Sequence, residues 1–171
     1  MKILISTVLL LMISSCNSQK KEDCLINLEK RVAPSLNQEI EQGEIINFRD
    51  NINCIQWDSL VVVMAMGDKE SVEKYTGIKI PYNYDGSSLY SSDSDAMIFF
   101  LKDRIAINHI LVKGSCSKGE NCRAYDFLDL MGHSNHAFVA KEDAVFEVYS
   151  KKIHDNQGNS WTSNNEIRIK I

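Results

Sequence analysis

The stretch "CIQWDSLVVVMAM", residues 54–66, decides the fold. Its apolar run is continuous rather than alternating, and Val61, Val62 and Val63 are β-branched. A strand buried on both faces reads this way, so a central sheet strand is expected here. Next, "GDKESVEKYTGI" (67–78) fits a short helix. Asp68 suits its N-cap and Gly77 its C′ position, and Val72 and Tyr75, three apart, are the expected inner face.

Further along, "IKIPYNYDGSSLYSSDSD" (78–95) reads as a long loop with a turn at Asp85-Gly86. In "AMIFFLKDRIAINHILVKG" (96–114), two apolar runs flank Lys102, Asp103 and Arg104, which is the pattern of a β-hairpin. Its second strand alternates Ile105, Ile107 and His109 or Leu111 with Ala106, Asn108 and Ile110, leaving the inner set open. Residues 115–135 form a second long loop with one helical turn near Ala124 to Met131. A strand is expected from Ala144 to Lys152, a turn in "HDNQGNSW" (154–161), and a last strand from Glu166 to Ile171. There Ile167, Ile169 and Ile171 share one face and Arg168 and Lys170 the other. "KEDAVF" (141–146) could instead open a helix, but Val148 and Tyr149 favour strand.

Before the central strand, Leu25, Leu28 and Val32 stand at helical spacing, with Pro34 as a stop. Residues 35–42 suit a second short helix, and "EIINFRDNIN" (44–53) an irregular or briefly extended segment. With two prolines and eight scattered glycines the chain shows no interdomain linker. The sum, over residues 24–171, is a single α+β domain: a mostly antiparallel sheet of four to six strands with a few short helices.

The N-terminus concerns location. Lys2 precedes a run from Ile3 to Ile13 that is apolar except for Ser6 and Thr7. A bilayer span needs about 20 apolar residues, so this run suits a signal peptide, residues 1–15, rather than a stable span. "ISSC" (13–16) resembles a bacterial lipobox: an aliphatic residue, two small residues, then cysteine. In such precursors the cysteine thiol receives a diacylglyceryl group, the chain is cut before it, and the new amine is acylated. The resemblance assigns lipidation to Cys16 and a tether to residues 16–23. Several acyl chains, at about 0.8 kcal/mol per buried CH₂, make an anchor of this kind effectively permanent. Asn17 is not aspartate, which in enterobacteria favours the outer membrane. The expected location is the cell envelope, with the outer membrane the first choice, although sorting rules differ between bacterial groups.

Five cysteines are present, and setting Cys16 aside leaves Cys24, Cys54, Cys116 and Cys122. An exported chain meets oxidising conditions, and four cysteines allow three pairings. The favoured pairs are Cys116–Cys122, closing the polar "CSKGENC" loop, and Cys24–Cys54. Loop entropy makes the longer closure worth about 3–4 kcal/mol and the shorter about 2. Zinc is the competing reading, but its sites prefer C-x₂₋₄-C spacing. Reduced, buried thiols are a third.

"CIQWDSLVVV" (54–63) and "KEDAVFEVYSKK" (141–152) together resemble small exported bacterial lipoproteins with a Trp-Asp strand, a family of unassigned function. Between those pieces the family carries a short acidic helix and an apolar hairpin, as "KESVEKYTGI" and "AMIFFLKDRIAINHILVK" suggest here. The resemblance covers roughly residues 54 to 152. It implies a lipid-anchored single domain and lends no activity. Relatives often follow the Trp-Asp strand with Gly-Pro-Tyr; here Met66-Gly67-Asp68 stands instead, so that segment's role does not carry over.

A net charge of −4, with no basic stripe, excludes a nucleic-acid binder of the usual kind. No G-x-S-x-G elbow, H-E-x-x-H, C-x-x-C or phosphate-binding glycine loop occurs, and no cofactor is implied. His133 and His136 stand three apart but among helix-breaking residues. The acidic pairs Asp93/Asp95 and Asp126/Asp129 read best as solvated loops, and Trp57 and Asp58 as core and turn. The strongest binding candidate is the loop bearing Tyr82, Tyr84 and Tyr90, where tyrosines alternate with small polar residues. Three functions follow. The first is a non-catalytic envelope domain that holds the membrane through its lipid and binds another envelope protein. The others are a metal- or carboxylate-dependent hydrolase using the His133/His136 region, and a hydrolase inhibitor presenting the Cys116–Cys122 loop.

Overall fold

The computed structural model describes residues 42–90, 95–112, 127–132, 134–154 and 158–170. The leader, Cys16, the tether, both expected N-terminal helices, Cys24, the Cys116–Cys122 loop and His133 lie outside the described residues. Seven strands are described: β1 (Ile45–Asn47), β2 (Ser59–Val63), β3 (Ala96–Lys102), β4 (Ile105–Val112), β5 (His136–Ala140), β6 (Val145–His154) and β7 (Ser160–Ile169). Three short helices accompany them: α1 (Phe48–Asn51), α2 (Lys69–Thr76) and α3 (Leu128–Met131). The strands form two antiparallel sheets, β1-β6-β7 and β4-β3-β2-β5, so the α+β architecture holds. The strands divide between two sheets because both faces of the central one are apolar and each needs a cover.

β2 is a central strand, paired on both edges with β3 and β5. Leu60 and Val62 point into one core with Ile98, Phe100, Ile110 and Val139, beneath the smaller sheet's Ile46, Phe146, Val148 and Ile167. Val61 and Val63 point into a second core with Met97, Phe99 and Leu101. That second face is covered by α2, through Val72, and by the segment carrying Ile78, Ile80 and Leu89. The expected long loop is thus a packed third layer. The strand itself covers Ser59–Val63, shorter than the apolar run around it.

Trp57 is buried: its ring meets Phe100 edge-on at 5.5 Å and its indole N–H donates to the Ile52 carbonyl at 3.0 Å. Phe48 meets Phe100 and Phe146 edge-on at 6.2 and 5.5 Å, pairs worth about 0.5–1.5 kcal/mol each beyond their burial. Asp58 accepts the Asp103 backbone N–H at 2.9 Å and the Ser59 hydroxyl at 2.8 Å, so it clamps the β3–β4 turn. Asp103 and Arg104 both have positive φ (53° and 63°), the conformation of a two-residue type I′ hairpin turn.

A bulge in that hairpin settles the phase of β4. Leu101 faces Ala106 and Phe100 faces Asn108, so Ile107 is the extra residue. Ala106 therefore points to the second core, whereas Ile110 and Val112, also even-numbered, point to the first. Ile105 and Ile107 stay exposed.

Helix α2 starts where expected: the Asp68 carboxylate accepts the Ser71 backbone N–H at 2.6 Å, and Gly77 closes it at φ 70°. Its inner face differs from expectation. Thr76, not Tyr75, is buried with Val72, because four-residue spacing fits the turn better and the Thr76 hydroxyl donates to the Val72 carbonyl at 2.5 Å. Strand β5 had no counterpart in the expected elements, and β7 begins six residues earlier than expected. Ile167 is buried and Arg168 faces outward, paired with Glu147 at 2.9 Å across the strands.

Candidate functional site

Where β2 ends, the chain must turn sharply into α2. Ala65 makes the turn with φ 57°, a left-handed conformation costing a non-glycine residue about 1–2 kcal/mol. Strain of this kind gathers at functional sites. Beside it the Asn135 carbonyl accepts the Met64 N–H at 2.9 Å, which fixes the entry to β5 against the exit from β2. The result is an open groove of about 400 Å³ formed by three segments distant in sequence. Ala65, Met66, Ser71 and Tyr75 come from the β2–α2 region, Tyr90 from the turn at 87–90, and Ser134, Asn135 and His136 from the start of β5. Tyr75 and Tyr90 are each 61% exposed, unusually open for large aromatic residues.

The Tyr90 ring is held from two sides. Its hydroxyl donates to the Asp68 carboxylate and accepts the Asp68 N–H at 3.1 Å. Below it two glycines touch: a Cβ on Gly67 would lie 2.5 Å from the Gly86 carbonyl oxygen and 2.6 Å from the Tyr90 ring. Only glycine permits that approach. The Tyr90 hydroxyl, with further bonds from Ser71, lowers the Asp68 pKa from 3.8 to about 2. The same carboxylate raises that of the Tyr90 phenol.

The three sequence-selected tyrosines separate. Only Tyr90 reaches the groove. Tyr82 stacks on His109, with ring centroids 5.4 Å apart and its hydroxyl 3.2 Å from Nδ1. Tyr84 packs edge-on against Phe99 at 5.1 Å. Burial raises both phenols, that of Tyr84 to about 12. The Tyr84 hydroxyl is buried without a hydrogen-bond partner among the described residues. His136 lines the groove, but no three His, Cys, Asp or Glu side chains converge as metal ligands among the described residues. Asp95 is buried, and Asp93 and Asp126 lie outside the described residues, so neither acidic pair is placed. Cys54 is a half-cystine whose partner lies outside them too; the Cys24–Cys54 and Cys116–Cys122 pairings stand as expectations.

Tyr75, Asn135 and Ala65 were not singled out by the sequence. Asn135 belongs to a polar stretch without a pattern, Ala65 lies within the apolar run that reads as strand, and the three-residue spacing from Val72 assigns Tyr75 to the inner face. Comparison with protein-family models, curated proteins and solved structures returns no match.

Proposed function

We propose that this chain is a lipid-anchored lipoprotein of the bacterial cell envelope whose domain binds rather than catalyses. The carrying observation is "ISSC" at residues 13–16 behind a short apolar run, which fits acylation at Cys16. The outer membrane is the favoured site of anchoring. The groove at Tyr75, Tyr90 and His136 supports binding. It joins two exposed aromatic rings to small polar side chains, a mixture that offers contact area at little entropic cost. The partner is another component of the same envelope.

Fractionation of the native host tests the anchor. Cys16→Ala should move the protein out of the membrane fraction, and retention there contradicts the reading. For the domain, metal analysis of purified protein should find no stoichiometric zinc. A metal at unit occupancy would favour the hydrolase alternative.

A further inference from the structure

Resting on the reading of this groove as a binding site, we propose that its ligand is a neutral glycan, with Tyr75 and Tyr90 as apolar platforms and Asn135, Ser71 and His136 as the hydroxyl-reading groups. The lining chemistry selects this class by elimination. None of the described lining residues is Asp, Glu, Lys or Arg. With the Lys74 ammonium drawn over the Tyr75 ring, an anion would find only the His136 imidazole as a basic side chain in the groove. It would also meet the Asp68 carboxylate, which already occupies the start of α2 with bonds to Ser71 at 2.6 and 2.8 Å. A cation would find that carboxylate committed, one oxygen to Tyr90 and both to Ser71. A wholly apolar ligand would strip water from an amide, a hydroxyl and an imidazole and return nothing.

A sugar ring answers each requirement. It has a flat C–H face for an aromatic ring and a rim of hydroxyls that both donate and accept. The Asn135 amide both donates and accepts, and the Ser71 hydroxyl, its proton given to Asp68, keeps its acceptor capacity for a sugar hydroxyl. The volume, about 400 Å³, lies in the range of small-ligand sites. The openness of the groove leaves a longer chain free to run past it. The tyrosines differ in role. Tyr90 is locked by Asp68 and the Gly67–Gly86 contact, so little freedom is lost on binding. Tyr75 stands on the rigid frame of α2 with the Lys74 ammonium 5.2 Å from its ring centroid.

The test uses the full chain purified in a sugar-free zwitterionic detergent, titrated with chitotetraose, cellotetraose and maltotetraose. Saturable binding of at least one is expected, and Tyr75→Ala and Asn135→Ala should each weaken it by about tenfold or more. Both positions are exposed, and unchanged circular dichroism shows that the variants fold. Absence of saturable binding to all three at about 10 mM, weaker than any useful affinity, overturns the proposal. So does binding that neither variant weakens.

Capture of native envelope material by wild type and by Tyr75→Ala separates the two levels of the argument. Capture that needs Tyr75, survives protease treatment of the envelope material and is competed away by the bound tetrasaccharide supports the glycan. Capture that needs Tyr75 but is lost on protease treatment and is not competed by any of the tetrasaccharides overturns the glycan and leaves the binding groove standing. Capture indifferent to Tyr75 overturns both.

Discussion

Replacing Gly67 with alanine tests how the third layer is seated. A Cβ there would fall 2.5 Å from the Gly86 carbonyl oxygen and 2.6 Å from two atoms of the Tyr90 ring. The first contact is with backbone and cannot swing aside. The second is with a ring whose hydroxyl is tied to Asp68. The 77–90 segment must therefore lift, and overpacking of this kind costs about 1–3 kcal/mol. Against this, glycine to alanine restricts the unfolded chain, a gain of about 0.4–1 kcal/mol. The backbone of Gly67 is not in the left-handed region, so that gain is available in full. The two ranges leave a loss between about 0 and about 2.6 kcal/mol, and a 2.5 Å contact with backbone places it in the upper half. Gly86→Ala makes the reciprocal clash with the Gly67 carbonyl and the Tyr84 ring. Once either alanine has lifted the segment, the second meets less resistance, so the double variant should lose less than the sum of the singles. Urea unfolding followed by circular dichroism measures all three. A Gly67→Ala protein as stable as wild type, or single losses that add fully, would falsify the described packing.

Trp57→Phe should cost about 1–3 kcal/mol in the same assay, because it leaves the buried Ile52 carbonyl without its indole donor as well as losing volume. Arg104 donates to the Thr76 carbonyl at 2.7 Å and lies over the Phe138 ring, but its φ is 63°. Arg104→Ala and Arg104→Gly lose the same contacts, yet glycine relieves the backbone strain, so it should be the more stable by about 1 kcal/mol. Equal stabilities contradict the assigned turn. The folded-state pKa of Asp68 is depressed, so its contribution is fully present above the ordinary value of 3.8 and fades as pH falls toward about 2. Asp68→Asn, which can still cap the helix, should flatten the stability profile in that window, and an unchanged acid limb counts against the Asp68–Tyr90 latch.

Much of the fold could be read from local signals, and what escaped has physical causes. The three valines identified β2, the apolar runs around Lys102–Arg104 identified the β3–β4 hairpin, and Asp68 and Gly77 marked both ends of α2. In each case the signal lies within the element itself. Strand β5 has only five residues, two of them alanines with little strand preference, and it forms because β2 offers an edge. Ile78 and Ile80 alternate with the exposed Lys79, but the alternation stops at Pro81 and Leu89 stands nine residues on, so a loop that packs as a layer resembled a loop that does not. The bulge at Ile107 defeats alternation outright, since it flips the register midway along β4. For the candidate site, composition pointed to Tyr90, but its companions arrive from segments about 15 and 45 residues away, and no local pattern records such a meeting.

The proposed anchoring of the molecule rests on the sixteenth residue. Intact mass measurement of the protein isolated from its own host addresses it most directly. The account predicts a chain beginning at Cys16 and heavier than its polypeptide by a diacylglyceryl group, with or without a third acyl chain. An unmodified Cys16, or residues 1–15 still attached to the mature protein, contradicts it.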